Sequence, residues 1–349
     1  MSQLLKGLAD YVRNMPGMNI RVTLTDSLSD ESLVTLGGSE PDKGGFDLEG
    51  RSVDGVAVGR PEPGPFTCFL DGMQRPRGPI YIGSPVPILY GYVAATIRAR
   101  GPDRRMRTFE GIHESREALY LSYSVAERFD ECKKILDDLK YAGLSIQDTD
   151  RGGEPPIEHP LALIQVARDA VSTARGAIEE KLIGRWLASN CRGNGWLLID
   201  GSLPDSHAES QIVGVTKSHG TQYFPWPEQQ KILALKVGER SGVFIPIIRG
   251  KRRAVYSWYL RLHPNEGRDV YFGLVRVEVP QKREMLEMAD TISRWLLAER
   301  TPLSLPDSRW DKMIYPIRDC EQYLRSRAPS HAFLDALLMS LAGITRASG

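Results

Sequence analysis

The chain has 349 residues, with 45 lysines and arginines against 44 aspartates and glutamates, so its formal net charge is +1. Apolar residues make up 41% and charged residues 26%, which is typical of a globular protein and excludes a low-complexity or highly charged disordered chain. The balanced charge gives the whole chain no general attraction to nucleic acid or membrane, so any contact with a polyanion must come from local clusters.

The cysteines are far apart and form no CxxC pair, which favours reduced thiols in a cytosolic protein over a zinc site or a disulfide framework. The first apolar stretch is interrupted by charged residues and does not resemble a signal peptide. No apolar run approaches 18 residues, so we expect a cytoplasmic protein without a membrane span. The residues concerned are Cys68, Cys132, Cys191 and Cys320, and in the first stretch Lys6, Asp10 and Arg13.

The N-terminal third predicts one helix, an irregular segment and a group of strands. Apolar residues at helical spacing predict a helix over 3–14, and the Gly-, Asp-, Ser- and Pro-rich segment 19–64 predicts an irregular lead-in. Residues 66–71 predict a buried strand that ends at Asp71, and β-branched and aromatic residues predict strands over 80–82 and 86–97.

Arginines and helical patterns dominate the middle of the chain. Five arginines follow within ten residues, Arg98, Arg100, Arg104, Arg105 and Arg107, either as a solvated loop or as an edge that contacts phosphates. The apolar spacing over 115–142 predicts an amphipathic helix that Gly143 ends, and a long helix is predicted from His159 to Ala188.

The second half of the chain predicts strands first and helices last. Strands are predicted over 196–200, 212–217, 242–248, 254–262 and 270–279. The basic hairpin turn with Lys251, Arg252 and Arg253 is, together with Arg104, Arg105 and Arg107, a candidate for contacts with DNA phosphates. Helices are predicted over 283–299, 316–325 and 331–345. We therefore expect an α/β protein with a lead-in over 1–64, a core over 65–327 with a helical insertion at about 113–156, and a C-terminal helix over 328–349.

Two strands share one pattern, an apolar run followed by Asp-Gly. The first ends in Asp71-Gly72 and the second in Asp200-Gly201, 129 residues later (200 − 71). Asp-Gly is also a common turn dipeptide, so the pattern by itself is compatible with two ordinary strand ends. If the two strands are neighbours, however, both carboxylates lie at one site.

The long helix supplies a third acid, because at 100° per residue Glu179 falls within its apolar face. A carboxylate at such a position needs an ion-pair partner or a bound cation. Arg175, four residues earlier, offers the ion pair. A metal held between Asp71 and Asp200 offers the alternative, and the spacing does not choose between the two.

Three carboxylates on adjacent elements suit one or two hard cations such as Mg²⁺ or Mn²⁺, which prefer oxygen ligands. A pair of such ions can hydrolyse a phosphodiester, and Lys217, after the second strand, either neutralises charge there or is a surface lysine. The histidines show no HxxxH or HxH spacing, and the chain has no GxSxG, GxxxxGK[ST] or GxGxxG motif. Zinc hydrolases, α/β-hydrolases, P-loop NTPases and Rossmann dehydrogenases are therefore not favoured.

The order of four motifs resembles that of NurA-type nucleases over roughly Phe66 to Arg325. The motifs are Phe69-Leu70-Asp71-Gly72, Leu197-Leu198-Ile199-Asp200-Gly201-Ser202-Leu203, Val213-Gly214-Val215-Thr216-Lys217 and Tyr315-Pro316-Ile317. The resemblance implies an RNase H-like mixed sheet core flanked by helices and manganese-dependent cleavage of DNA, including resection of ends. It further implies a homodimer that works with HerA, a hexameric DNA-translocating ATPase, in repair or in defence against phage.

Matched by motif, the resemblance makes Asp71, Glu179 and Asp200 metal ligands and Lys217 the basic residue after the second strand. The chain departs from the family at Met73, where the family often has serine, and at Glu321, where it tends to have histidine or aspartate. Asp319 is the alternative to Glu321 as the last ligand, and Glu180 is the alternative to Glu179. A catalytically silent adaptor of a DNA motor and a nuclease acting on RNA or hybrids are the other functions that the sequence leaves open.

Overall fold

The computed structural model of the chain describes residues 3–14, 20–22, 48–49, 53–150, 152, 158–189, 195–204, 211–248, 251–300 and 314–346. Its helices are α1 (Gln3–Arg13), α2 (Tyr123–Ala126), α3 (Asp130–Tyr141), α4 (Pro160–Ala188), α5 (Trp226–Leu233), α6 (Arg283–Glu287), α7 (Ala289–Glu299), α8 (Tyr315–Arg327) and α9 (His331–Arg346). Its strands are β1 (Ile20–Val22), β2 (Val56–Ala57), β3 (Phe66–Ile82), β4 (Ile88–Arg100), β5 (Met106–Leu121), β6 (Ile146–Asp148), β7 (Trp196–Asp200), β8 (Ile212–Thr216), β9 (Glu239–Arg240), β10 (Ile247–Ile248), β11 (Lys251–Arg252), β12 (Val255–Arg261) and β13 (Leu274–Pro280).

One large mixed sheet flanked by helices organises the described part of the chain, which confirms the predicted α/β class. Its strand order is β2-β9-β12-β13-β8-β7-β3-β4-β5-β6, and β1 is added beside the last residues of β3. The long strands β3, β4 and β5 form an antiparallel meander, whereas β7 lies parallel to β3 and β8 parallel to β7.

The two faces of the sheet are covered by different helices. Since side chains alternate along a strand, Cys68 and Leu70 of β3 pack with Ile178 and Leu182 of α4 on one face. Phe69, between them, packs on the other face in a cluster with Ile317 and Cys320 of α8. Asp71 continues the α8 face and Gly72 the α4 face.

Strand β3 does not end at Asp71, so that part of the strand prediction is wrong. It continues to Ile82, because β4 pairs with it from Cys68 to Ile80 and takes in the predicted strand over 80–82. On its other side, β7 pairs with β3 only up to Leu70 and β1 only from Ile80 onward. Among the described strands, neither β7 nor β1 pairs with residues 71–77 of β3.

The predicted helix over 115–142 is wrong in its first part. Residues up to Leu121 belong to β5, since β4 offers a continuous partner from Leu89 to Arg100. A helix begins only after Ser122, whose side chain accepts a hydrogen bond from Val125 N, and α3 ends before Gly143, whose φ of +73° suits glycine. Long-range pairing overrides the helical spacing here.

Most of the remaining predicted elements are found within a few residues of their predicted limits, namely α1, α4, β7, β8, β12, β13, α8 and α9. The predicted strand over 242–248 is reduced to β10 and an isolated bridge at Phe244, and Lys251 and Arg252 of the predicted turn form β11, which pairs with β10. The predicted helix over 283–299 is divided into α6 and α7 at Met288, and α5 has no counterpart among the predictions.

Several predictions fall on residues that the structure does not describe. Most of the lead-in and Cys191 lie outside the described residues, whereas Cys68, Cys132 and Cys320 are buried free thiols. Within the described ranges, every helix is too short or too polar to cross a membrane.

Candidate metal centre

Asp71 and Asp200 are brought side by side by the parallel pairing of β3 and β7. Leu70 is the register partner of Ile199, so the next residue on each strand is an aspartate that faces α8. Asp71 Oδ1 accepts a hydrogen bond of 2.8 Å from Gly72 N. Gly201, directly after β7, has a φ of +127° and does form the turn that its sequence predicts.

Two further charged groups join the aspartates. Lys217 follows β8, and its Nζ donates a hydrogen bond of 3.0 Å to Asp200 Oδ2 and lies 4.0 Å from Glu321 Oε1. Asp71, Asp200 and Glu321 each contribute a carboxylate oxygen to a group whose members all lie within 4.8 Å of one another. The structure thus brings together four of the residues that the sequence selects.

The electrostatics of this cluster favour a bound cation. Burial and then the neighbouring carboxylates, Asp200 first, raise the pKa of Asp71 well above its usual value, although Lys217 opposes this. Burial would lower the pKa of Lys217, but Asp200, Glu321 and Asp71 together raise it. The three carboxylates outnumber the two basic groups that pair with them, Lys217 with Asp200 and Arg325 with Glu321 at 3.6 Å. The set of oxygen donors fits a hard divalent ion.

Glu179 reaches the same strands from the α4 face. Its carboxylate lies over Gly72, because a Cβ built at that glycine would meet Glu179 Oε1 at 2.0 Å and Cδ at 2.8 Å. Arg175 Nη1 lies 3.3 Å from Glu179 Oε1, so the ion pair that the sequence offers is formed. Burial raises the pKa of Glu179 to about 7, with Arg175 lowering it and Asp200 raising it. Glu179 is outside the group of three converging carboxylates but interacts electrostatically with Asp200.

The two alternative acids are placed elsewhere. Glu180 is exposed on the outer side of α4. Asp319 accepts a hydrogen bond of 2.5 Å from Arg98 Nε, which holds it away from the cluster. Glu179 rather than Glu180, and Glu321 rather than Asp319, therefore faces the aspartates. In each pair, the position of the residue around its helix decides which acid does so.

A buried charged network lies on the opposite face of the same strand ends, and the sequence analysis missed it. Glu278 of β13 has no exposed surface and accepts hydrogen bonds from Arg253, Arg276 and, at 2.8 Å, from Leu203 N. Arg276 Nη2 also lies 3.3 Å from Ser202 Oγ and 3.4 Å from Thr216 Oγ1. This network anchors the residues that follow Asp200 and precede Lys217. An acidic and a basic residue two apart in an apolar strand are the only local signal for it.

The basic residues predicted to contact DNA occupy two hairpins. Arg104, Arg105 and Arg107 are exposed at the turn between β4 and β5, where Arg107 pairs with Asp103 at 2.7 Å. Lys251 and Arg252 are exposed on β11. Arg253 differs from them, because its guanidinium is held by Glu278 and by Leu203 O.

Comparisons with known proteins give similarity at the level of structure and none at the level of sequence. No protein-family profile matches the sequence. No curated protein matches it either. Among solved structures, the chain is similar to the crystal structure of the NurA nuclease from Sulfolobus solfataricus, at 10% sequence identity and a TM-score of 0.46, over 84% of this chain and 88% of that chain.

Proposed function

We propose that this protein is a nuclease that hydrolyses phosphodiester bonds in DNA with the help of divalent metal ions, Mn²⁺ or Mg²⁺, two of them per site. The observation that carries the proposal is the convergence of Asp71, Asp200 and Glu321 from three separate elements to within 4.8 Å, with Lys217 against Asp200. A buried carboxylate such as Asp71 needs an ion-pair partner or a bound cation, and oxygen ligands at this spacing suit a hard divalent ion.

The strand order supports an RNase H-like core for this nuclease. Five strands in the order β5-β4-β3-β7-β8 combine an antiparallel meander with two strands parallel to the first, and α4 connects the two parts. This arrangement puts one acid on the first strand, one at the end of the fourth and one on each covering helix. An RNase H-like core is also what the resemblance to NurA-type nucleases implies.

Each residue has a distinct part in the proposed reaction. Asp71, Asp200 and Glu321 would hold the metal, and Glu179 would complete the set from the α4 face. Divalent ions supply activation of the attacking water and stabilisation of charge on the phosphoryl oxygens. Lys217, which keeps its charge at neutral pH because the acids raise its pKa, would stabilise the negative charge that develops on the phosphate.

Purified full-length protein incubated with linear DNA tests this proposal directly. We expect cleavage with Mn²⁺ or Mg²⁺ and none with EDTA. Parallel reactions with RNA, an RNA–DNA hybrid and circular DNA identify the substrate class. An intact fold without cleavage of any substrate would instead favour a silent adaptor of a DNA motor.

The proposed partners are DNA, a second copy of this chain and a HerA-like hexameric ATPase, in the cytoplasm. The dimer and the ATPase rest on the resemblance to NurA-type nucleases. The cytoplasmic location rests on the scattered cysteines, which favour reduced thiols in a cytosolic protein. Light scattering of the purified protein measures the dimer. Association with a HerA-like ATPase is measured by co-purification and by cleavage rates with and without ATP.

The hairpin arginines provide a test of DNA contact. We expect the double substitution Arg104→Ala/Arg105→Ala to weaken binding of duplex DNA about tenfold at low salt. It should also make the salt dependence shallower by about two units, because each lost phosphate contact removes about 0.9 of the slope. Fluorescence anisotropy over a series of salt concentrations measures both quantities. Lys133→Ala/Lys134→Ala, an exposed pair on α3, removes equal charge and should change neither.

Gly72 tests the approach of Glu179 to the site. We expect Gly72→Ala to lower the metal-dependent cleavage rate about 10- to 100-fold, since its Cβ would displace the Glu179 carboxylate, a loss of the size seen when residues that orient metal ligands are changed. Steady-state kinetics at saturating Mn²⁺ measures the effect. Gly176→Ala on α4, whose Cβ would meet nothing within 4 Å, is the control and should keep full activity. Equal activity of both variants would contradict the assigned position of Glu179.

A further inference from the structure

Arg175 has a geometry that its ion pair with Glu179 leaves incomplete. The distance of 3.3 Å from Arg175 Nη1 to Glu179 Oε1 is longer than the 2.7–2.9 Å of a good charge-assisted hydrogen bond. Arg175 Nε and Glu179 Oε1 are both buried without a hydrogen-bond partner among the described residues. Both groups can therefore make better contacts than the ones they make with each other.

The exposure of Arg175 and the position of its neighbours indicate that a ligand from solvent can reach its guanidinium. One third of its side chain is exposed, whereas Glu179 is 15% exposed and lies against Gly72. Gly72 belongs to the segment of β3 with which no described strand pairs on the β7 side. Gln74, two residues further on the same face, likewise has a buried Oε1 without a hydrogen-bond partner among the described residues. Arg175 is thus a partly exposed cation whose partner acid, Glu179, lies over the residue that follows Asp71.

We propose that Arg175 pairs with Glu179 in the free protein and binds a backbone phosphate instead when nucleic acid is present. Glu179 is then released toward the metal. We call the Arg175–Glu179 pair the latch. This inference rests on the proposed function and names a residue that couples substrate binding to it. The planar guanidinium binds a phosphate with two parallel hydrogen bonds, which the pair with Glu179 does not provide. The substrate phosphate and Glu179 therefore compete for one cation.

Metal binding in the absence of DNA gives the first test. Arg175→Met removes the cation but keeps an unbranched side chain, so Glu179 loses its competing partner. We expect Mn²⁺, titrated by calorimetry into the metal-free protein, to bind at least about fivefold more tightly to this variant than to the wild type. Arg185→Met, which removes an exposed arginine from the same helix, is the matched control and should bind Mn²⁺ as the wild type does.

DNA binding without divalent metal gives the second test. We expect Arg175→Met to weaken duplex binding and Glu179→Gln to strengthen it, because the freed arginine is then available to the phosphate. Glu180→Gln removes the same charge from the exposed side of α4 and reports the general electrostatic effect. In the double variant Arg175→Met/Glu179→Gln, the strengthening should fall to the level of Glu180→Gln. Arg175→Lys keeps a charge in case the methionine variant does not fold, and we expect it to restore part of the DNA affinity.

Three results would overturn the latch. Unchanged or weaker Mn²⁺ binding in Arg175→Met would mean that Arg175 does not compete for Glu179. Equal strengthening by Glu179→Gln with and without Arg175 would mean that the arginine does not contact the phosphate. If the wild type cleaves DNA and the Arg175 variants match it in both binding assays, the latch is excluded but the proposed function is not. If the wild type neither binds Mn²⁺ nor cleaves DNA, the proposed function is excluded as well.

Discussion

Metal-dependent cleavage should fall at least about 100-fold in the variant Asp200→Asn. Asparagine keeps the size of the side chain and an oxygen for Lys217, but it lacks the charge that a divalent cation needs at the end of β7. The variant also removes the ion-pair partner that holds Lys217 Nζ at 3.0 Å. A 100-fold decrease corresponds to about 2.7 kcal/mol of transition-state stabilisation, the size of effect seen when one preorganised electrostatic group is removed.

Single-turnover cleavage of linear DNA at saturating Mn²⁺ measures this effect. Thermal unfolding and light scattering establish that the variant is folded and has the same subunit composition as the wild type. Asp10→Asn makes the same chemical change at an exposed aspartate of α1, where the only ion pair shown is to Arg13 in the same helix, and should retain full activity. Full activity in Asp200→Asn itself would exclude a metal site at this position.

The largest expected effect on stability belongs to Glu278. We expect Glu278→Ala to lower the free energy of unfolding by about 3–5 kcal/mol, the range measured when one partner of a buried ion pair is removed. Its carboxylate is fully buried and accepts hydrogen bonds from Arg253 and Arg276, at 2.8 Å in the first case. Without it, the Arg276 guanidinium is left buried between β8, β12 and β13 with hydroxyl groups as its remaining partners.

Urea unfolding of the metal-free protein measures this loss of stability. Glu287→Ala provides the control, because Glu287 forms an exposed ion pair of 3.2 Å with Arg283, and such surface pairs contribute at most about 1 kcal/mol. The isosteric Glu278→Gln keeps hydrogen-bond acceptors but removes the charge, so we expect it to lose less stability than Glu278→Ala and also to reduce activity, since Leu203 and Thr216 flank the strand ends that carry Asp200 and Lys217. A midpoint for Glu278→Ala equal to that of the control would show that the network does not hold these strands.

The two Asp-Gly segments show how one local pattern takes two structures. At Asp200-Gly201 the strand ends and the glycine turns with a φ of +127°, as the pattern predicts. At Asp71-Gly72 the strand continues for ten more residues, because β4 is long enough to pair with it, and the glycine serves instead to admit the Glu179 carboxylate. Both aspartates lie side by side on neighbouring strands, whereas only Gly201 forms the turn that the pattern predicts.

For the acids on the helices, too, the sequence predicted part of the arrangement and the structure supplied the rest. The apolar face of α4 predicts that Glu179 points toward the sheet, and it does, while Glu180 is exposed. The sequence offered an ion pair with Arg175 or a metal between the aspartates as alternatives. The structure contains the ion pair, and Glu179 also interacts electrostatically with Asp200. Between Asp319 and Glu321 the sequence made no choice, because only the position of Arg98 on β4 shows that Asp319 is already paired.

The sequence by itself determined the elements whose apolar periodicity is complete within a few turns or strand residues, such as α4, β7 and β8, and it selected the charged residues that interrupt these patterns. The tertiary structure alone decided that two aspartates 129 residues apart are neighbours (200 − 71), that residues up to Leu121 form a strand, and that Glu278 anchors the strand ends. The physical reason is the range of the interactions. Helical and strand periodicity is a local property, whereas strand pairing and buried ion networks depend on partners that are far away along the chain.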